Sequence, residues 1–512
     1  MLTHVYGAKC AGIDAIGVTV EVDISVGIGV HLCGLADVAV KESLLRTVTA
    51  LQSRGYRIPG KKIVINLAPA DTHKNGSGYD LPIAIGIIAA SEQASLPLLS
   101  RFLLMGELGL DGSVRSVPGG LPTAELARKA GFDGCILPYD SAMEAAQLEG
   151  VNVYGVHTMD EAIMILSGAL DAEGFCVSGT IPRDDAPPPP EIDFADIIGQ
   201  ETAKRGVEIA AAGGHCLILV GSPGSGKSSL AKAMAGIMPP LTMEESLVTS
   251  KIYSVAGRGN LRGGFMRSRP FRAPHYSASL PAIIGGGGGD GVFPGEVSLA
   301  HAGVLFIDEF AHMPKSVVEA LRGPMEDRRV TISRLKTKVE YPASFTLVAA
   351  SNPCPCGYYG EGDRCTCTPA QRTAYLSRLS GPILDRIDLQ VRVKAIPPSR
   401  IAERAGHPGE TSAQVAARVL AARETQRARF ANLEINCNAE MNNRLIEKFC
   451  TLSPECQETM QQLLTKMQFS MRAYYRIIKV ARTIADLEGV PDIRVQHLME
   501  AAGYRFLDRQ NL

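Results

Sequence analysis

The stretch Gly221-Ser222-Pro223-Gly224-Ser225-Gly226-Lys227-Ser228 decides the fold. Its spacing is G-x-x-x-x-G-K-[ST]. The apolar run His215-Cys216-Leu217-Ile218-Leu219-Val220 leads into it, and Ser229-Leu230-Ala231-Lys232-Ala233-Met234-Ala235 follows with helical character. Strand, glycine loop and helix in that order make a phosphate cradle. The glycines let successive backbone N–H groups turn inward, and Lys227 carries charge to the β- and γ-phosphates. The Ser228 hydroxyl can ligate Mg²⁺, and the helix N-terminus, with Ser229 in its first turn, favours anions. A plain glycine–serine turn is the bland alternative, and the flanks argue against it. ATP and Mg²⁺ are the expected ligands of residues 221–229.

The second half of such a site is Val304-Leu305-Phe306-Ile307-Asp308-Glu309. Four apolar residues read as a strand buried on both faces of a parallel sheet. Two carboxylates emerge at its C-terminal end, where α/β sheets hold ligands. Asp308 is expected to help Ser228 hold Mg²⁺. Glu309 is the expected general base for the attacking water.

At 512 residues the chain should divide into two to four domains. A net charge of −1 leaves nucleic-acid binding to local patches. The N-terminus lacks a signal-peptide pattern, so the 12 cysteines read as thiols of a cytoplasmic protein. The longest apolar run, residues 81–90, contains Pro82 and Gly86, so no membrane span is expected.

An α/β domain is expected over residues 1–177, with strands at 19–24, 62–67, 135–138 and 151–154 and helices at 37–51 and 80–90. A polar, proline-rich spacer follows at 178–192, with Pro187-Pro188-Pro189-Pro190 favouring an extended conformation. The ATPase core is expected over 193–395. Helical periodicity then runs through 412–430, 439–450, 454–467, 470–488 and 494–503, giving a helical domain at 396–512.

Several segments resemble known families. Lys74-Asn75-Gly76-Ser77-Gly78-Tyr79-Asp80 and Val117-Pro118-Gly119-Gly120-Leu121-Pro122 resemble the loops carrying the serine and lysine of the Lon proteolytic domain, which has a ribosomal-protein-S5-domain-2-like fold. Aligned by the glycines, those positions fall on Gly78 and Pro122, which offer neither nucleophile nor amine. Ser77 allows an alternative register, but a serine without a positioned base is a weak nucleophile. The expectation is a Lon-like domain without protease activity.

Asp193-Phe194-Ala195-Asp196-Ile197-Ile198-Gly199-Gln200 resembles the segment that opens AAA+ ATPases and packs near the adenine. The apolar stretch 344–350 ends at Ser351-Asn352, and by that resemblance Asn352 is the sensor 1 residue placing the water. Gly381-Pro382-Ile383-Leu384-Asp385-Arg386-Ile387-Asp388 resembles the arginine-finger segment of the magnesium-chelatase and MCM branch, so Arg386 would reach a neighbour's γ-phosphate. Ser470-Met471-Arg472-Ala473 resembles sensor 2, which implies that Arg472 contacts nucleotide in cis and that the C-terminal helices form a lid. Arg258, Arg262, Arg267, Arg269, Arg272 and the five glycines 285–289 resemble that branch's helix-2 insertion.

Residues 328–342 alternate on both sides of Leu335-Lys336 and read as a β-hairpin. It resembles the branch's pore hairpin, and Arg334, Lys336 and Lys338 would track a DNA backbone without reading sequence. A solvated hairpin at a subunit contact is the other reading. Cys354-Pro355-Cys356 and Cys365-Thr366-Cys367 could supply four thiolates to a structural Zn²⁺. Free thiols or a redox pair remain the alternatives.

Taken together, this order of segments resembles the YifB/ComM family of bacterial magnesium-chelatase-like AAA+ ATPases. The resemblance implies a homo-hexameric ATPase stimulated by single-stranded or branched DNA, with branch-migration or helicase activity in natural transformation. A chelatase motor subunit and a protein remodeller are the alternatives.

Overall fold

A computed structural model of the chain describes residues 2–34, 38–70, 74, 76–182, 189–259, 263–287, 291–334, 337–379, 381–396 and 409–508. A five-stranded sheet has the order Phe271–Arg272, Val304–Ile307, Thr346–Ser351, Leu217–Gly221, Leu389–Val393, with every neighbouring pair parallel. Every residue of Leu217–Gly221, Val304–Ile307 and Thr346–Ser351 is buried. That explains why these strands read as unbroken apolar runs, since a central parallel strand has no solvent face. One face packs Leu217, Leu219, Phe306 and Val348 against the helices Glu201–Gly213 and Lys227–Ile237. The other packs Ile218, Leu305, Ile307 and Leu347 against Phe310, Val317 and Ile383. Because the strands are parallel, Gly221, Ile307, Ser351 and Val393 all end at one edge, where the loops carrying chemistry emerge.

The N-terminal part of the chain builds a mixed seven-stranded sheet, ordered Gly29–Cys33, Lys62–Ala68, Asp14–Ser25, Leu2–Ala11, Phe102–Leu104, Gly134–Pro138, Asn152–Val156. The expected helices at 37–51 and 80–90 are found as Val38–Ser53 and Asp80–Ala90. The sequence reading missed Leu2–Ala11, which is tied to Asp14–Ser25 by an antiparallel register running from Leu2↔Asp23 to Ala11↔Asp14. It reads weakly alone, with Gly7 and Ala8 in its middle, and becomes a strand through its partner.

The C-terminal helices are Ser412–Arg429, Asn443–Phe449, Pro454–Met467, Met471–Leu487 and Val495–Gly503. Thr411, Asn442, Ser453 and Ser470 each cap the following helix with a side-chain oxygen. The Asn442 cap starts its helix later than the expected 439, after a short turn over Asn438–Glu440. In the proline-rich spacer, residues 183–188 lie outside the described residues.

The helix Met243–Val255, which follows the phosphate-loop helix, docks the ATPase sheet onto the N-terminal part. Lys251 Nζ pairs with Glu125 Oε2 at 2.6 Å and also with Asp14. Gly119 N donates to Ser254 O at 3.0 Å, and Phe265 N donates to Gln147 Oε1 at 2.8 Å. Ser254 also donates to Glu144, whose carboxyl is pushed up to about 7 by burial.

Candidate functional site: a nucleotide cradle with its arginines at the far end

Gly224 at φ 76° and Gly226 at φ 91° take the left-handed turns that close the phosphate loop. Lys227 then opens the helix, and its Nζ donates to Gly221 O at 2.8 Å and Ser222 O at 2.9 Å. It also reaches Asn352 Oδ1 at 3.3 Å, so the residue just past the Thr346–Ser351 strand meets the cradle. Burial lowers the Lys227 pKa, against the charges of Asp308 and Glu309. Ser228 Oγ lies 3.4 Å from Asp308 Oδ2, a pair of oxygens suited to one Mg²⁺. Glu309 sits at φ 49°, an uncommon backbone for a non-glycine residue. Its N–H donates to Asp308 Oδ1 at 2.8 Å, and both carboxylates are exposed toward the cradle edge. The residues fit a triphosphate with Mg²⁺: a glycine-turned loop and one lysine for the anion, a hydroxyl and a carboxylate for the cation.

Sequence reasoning missed two further contacts with the loop. Gln200 Nε2 donates to Ser225 O at 3.2 Å and Lys394 O at 2.6 Å. Glu361 Oε1 accepts from Ser222 Oγ at 2.9 Å and Ala395 N at 3.2 Å. Both pairs are far apart in sequence, so no local pattern announces them. The Asp193–Gln200 segment buries Phe194 and Ile197 in the core.

The two remaining candidate arginines lie elsewhere. Leu389 pairs with Leu217, and Val393 with Gly221, so the segment before Leu389 sits at the N-terminal edge of the strands. That edge is about 13 Å from the phosphate loop at about 3.3 Å per strand residue. There Arg386 Nη2 pairs with Glu326 at 2.6 Å and Nη1 donates to Pro382 O at 2.8 Å. Its Nε is buried without a partner among the described residues. Arg472, expected to contact nucleotide in cis, lies at the same edge as Arg386. It is 69% exposed and bonds Asp385 Oδ2 at 3.0 Å, beside Arg386 rather than at its own phosphate loop. The sheet lies between the two places. A cavity of about 690 Å³ opens at this edge, with Arg328, Arg386 and Arg476 in its lining beside their partners Glu440, Glu326 and Asp388.

The four cysteines of the two C-x-C pairs converge, with all four sulfurs within 4.8 Å of one another. Cys354 Sγ is 3.3 Å from Cys356 Sγ and 3.8 Å from Cys365 Sγ. Tetrahedral zinc with Zn–S of about 2.3 Å sets sulfurs roughly 3.8 Å apart, so the set fits the ion. Backbone hydrogen bonding, that of Tyr358 first, pulls the Cys356 thiol down to about 6.

The expected hairpin is present as Arg329–Arg334 paired with Thr337–Pro342. Lys338 is exposed on it. The Arg334 side chain and the whole of Lys336 lie outside the described residues. The arginine-rich stretch before it is less free than its sequence suggests. Arg269 pairs with Glu245 at 3.0 Å, and Arg272 makes two bonds to Glu296, at 2.6 and 2.8 Å.

In the N-terminal part, a methyl group on Gly78 would lie 3.3 Å from Met105 Cγ. Thr123, next to Pro122, donates to the Met105 sulfur at 3.4 Å. The buried Met105 side chain therefore packs at Gly78 and against Thr123, the residue after Pro122. Ser77 bonds Glu107, and Asp80 is held by Arg46 at 3.0 Å.

A five-stranded parallel sheet with this cradle at the C-terminal ends of its strands, and Ser228 beside Asp308, defines a phosphate-loop ATPase core. The family model described as magnesium chelatase, subunit ChlI, matches residues 193–401, and its C-terminal counterpart matches 409–505. The model described as subunit ChlI of Mg-chelatase matches residues 20–141. The uncharacterized protein YifB of Salmonella typhimurium is 42% identical over 99% of this chain and 98% of its own length. Competence protein ComM of Haemophilus influenzae is 41% identical over 99% of this chain and 98% of its own. An archaeal Lon protease of Methanocaldococcus jannaschii is 25% identical over 28% of this chain and 22% of its own length. The chain belongs to the YifB/ComM family of magnesium-chelatase-like AAA+ ATPases. Among the described residues, no helix is long and apolar enough to cross a membrane.

Proposed function

We propose that the chain is a ring-forming ATPase, a homo-hexamer, that couples hydrolysis to movement on single-stranded or branched DNA. The observation that carries the ring is the separation of the phosphate loop from Arg386 and Arg472 across the sheet. Each ATP site then takes residues 221–229, Asp308, Glu309 and Asn352 from one copy and its arginines from the next. Bound Mg²⁺ would supply charge neutralisation of the phosphates. Asn352 and Glu309 orient the water, and Glu309 takes its proton. Arg386 forks onto the γ-phosphate oxygens, which its fixed charge and planar donors suit. The cavity that opens beside Arg386 at the far edge supports that role.

The division proposed is a proteolytically silent Lon-like, S5-type domain at 1–177, a spacer at 178–192, the ATPase core at 193–395 and a helical lid at 396–512. Zn²⁺ is proposed as the structural ion of the cysteine knuckle. Gly78, Pro122 and Met105 support the absence of proteolysis, and purified protein is expected to leave casein intact with or without ATP. Steady ATP-dependent cleavage would reject that reading.

Branch migration or helicase activity is supported by the basic hairpin and by the competence name of one relative. The test is the ATPase rate with and without single-stranded or branched DNA. DNA is expected to raise the rate several-fold, with the effect lost in an Arg334→Ala/Lys336→Ala double variant that keeps its basal rate. A rate indifferent to DNA at every salt concentration would favour a chelatase motor subunit or a protein remodeller.

A further inference from the structure

We propose that the cysteine knuckle is a metal-set strap on the phosphate loop, acting through Glu361 as a positioning residue. The inference deepens the ATPase reading above and rests on it. The loop between Cys356 and Cys365 bends back over the nucleotide cradle and touches it at two adjacent residues. Glu361 Oε1 accepts from the Ser222 hydroxyl at 2.9 Å and from Ala395 N at 3.2 Å. Ser222 is 4% exposed, so its hydroxyl has little access to water as an alternative partner. One residue on, Gly357 lies against Pro223. A methyl group there would meet Pro223 Cδ at 2.8 Å, and its φ of 87° already favours glycine. The same segment begins two residues after Asn352, which holds Lys227 at 3.3 Å. Ser222, Pro223 and Lys227 are thus all contacted from one short stretch.

That stretch has little regular structure of its own. Gly357, Gly360 and Gly362 all have positive φ, and a three-residue turn at Gly362–Arg364 is its only helix. Glycine-rich backbone carries a large entropy cost of ordering. Four thiolates on one ion meet that cost by closing the loop at both ends. With the ion in place Glu361 is held on Ser222. Without it, the Gly357–Arg364 segment is free to leave the cradle. The function of Glu361 is to accept two hydrogen bonds, not to bring charge, so an uncharged acceptor serves as well.

The experiment uses the full chain loaded with zinc, with ATP turnover measured at saturating Mg²⁺. Glu361→Ala is expected to raise the KM for ATP roughly five- to tenfold, the worth of one to two net hydrogen bonds, with kcat within about twofold. Glu361→Gln is expected to return KM to within about twofold of wild type. Both variants should hold as much zinc as wild type. Stripping zinc from the wild type with a thiol-competing chelator, then restoring Mg²⁺, should produce the same rise in KM. On Glu361→Ala the stripping should add little, because the two changes break one linkage. An unchanged KM in Glu361→Ala, or additive effects of the variant and the chelator, would overturn the strap. Wild-type protein that binds no zinc would overturn it too, with the ATPase reading intact. Zinc-loaded wild type that neither binds nor turns over ATP would overturn the ATPase reading itself, and the strap with it.

Discussion

Arg386→Ala is expected to bind ATP as wild type does and to lose hydrolysis by about 10³-fold, the usual scale for a missing arginine finger. The phosphate loop of the same chain is untouched by the change, because Arg386 lies at the opposite edge of the sheet. In the proposed ring it would reach a neighbour's γ-phosphate instead. Lysine should not restore the rate, since one point charge cannot fork onto two oxygens. A mixing experiment separates this from a folding defect. Arg386→Ala and Lys227→Ala protein, each inactive alone, should regain activity when combined, with about one site in four assembled from an intact loop and an intact arginine. A mixture that stays silent, or an Arg386→Ala protein with normal turnover, would show that the site is not shared.

Lys227→Ala is expected to weaken ATP binding by about 10²-fold, the scale of losing one partner from a buried charged pair. Its ammonium already holds the loop from within, through Gly221 O, Ser222 O and Asn352 Oδ1. Alanine removes both the phosphate's counter-charge and that bracing. A titration with a fluorescent ATP analogue checks it, and near-wild-type affinity would mean that the cradle is not the nucleotide site. Glu361→Ala acts on the same loop from outside, so its smaller effect in KM gives an internal scale for the lysine.

Much of the ATPase half was legible because its strands are buried on both faces. Val304–Ile307 and Leu217–Gly221 have no solvent side, so their composition alone marks them. The phosphate loop was legible because cradling an anion demands glycines and a lysine at fixed spacing. The cysteine pairs were legible as a group for the same kind of reason, as four ligands close in sequence. Leu2–Ala11 was not, because its strand character comes from pairing with Asp14–Ser25. The partners of the arginines of 258–272 were not legible, because that stretch holds no acid and Glu245 and Glu296, which pair with Arg269 and Arg272, each lie 24 residues from their partner.

Residue types at fixed local spacing determined, from the sequence alone, the chemistry of the cradle, the two acids and the cysteine knuckle. Tertiary structure decided which of these groups meet. It brought Glu361 onto Ser222 across 139 residues of chain. It also placed Arg472 beside Asp385 and Arg386. The physical reason is that a parallel sheet has two chemically distinct edges, and a motif's sequence carries no record of the edge at which it ends.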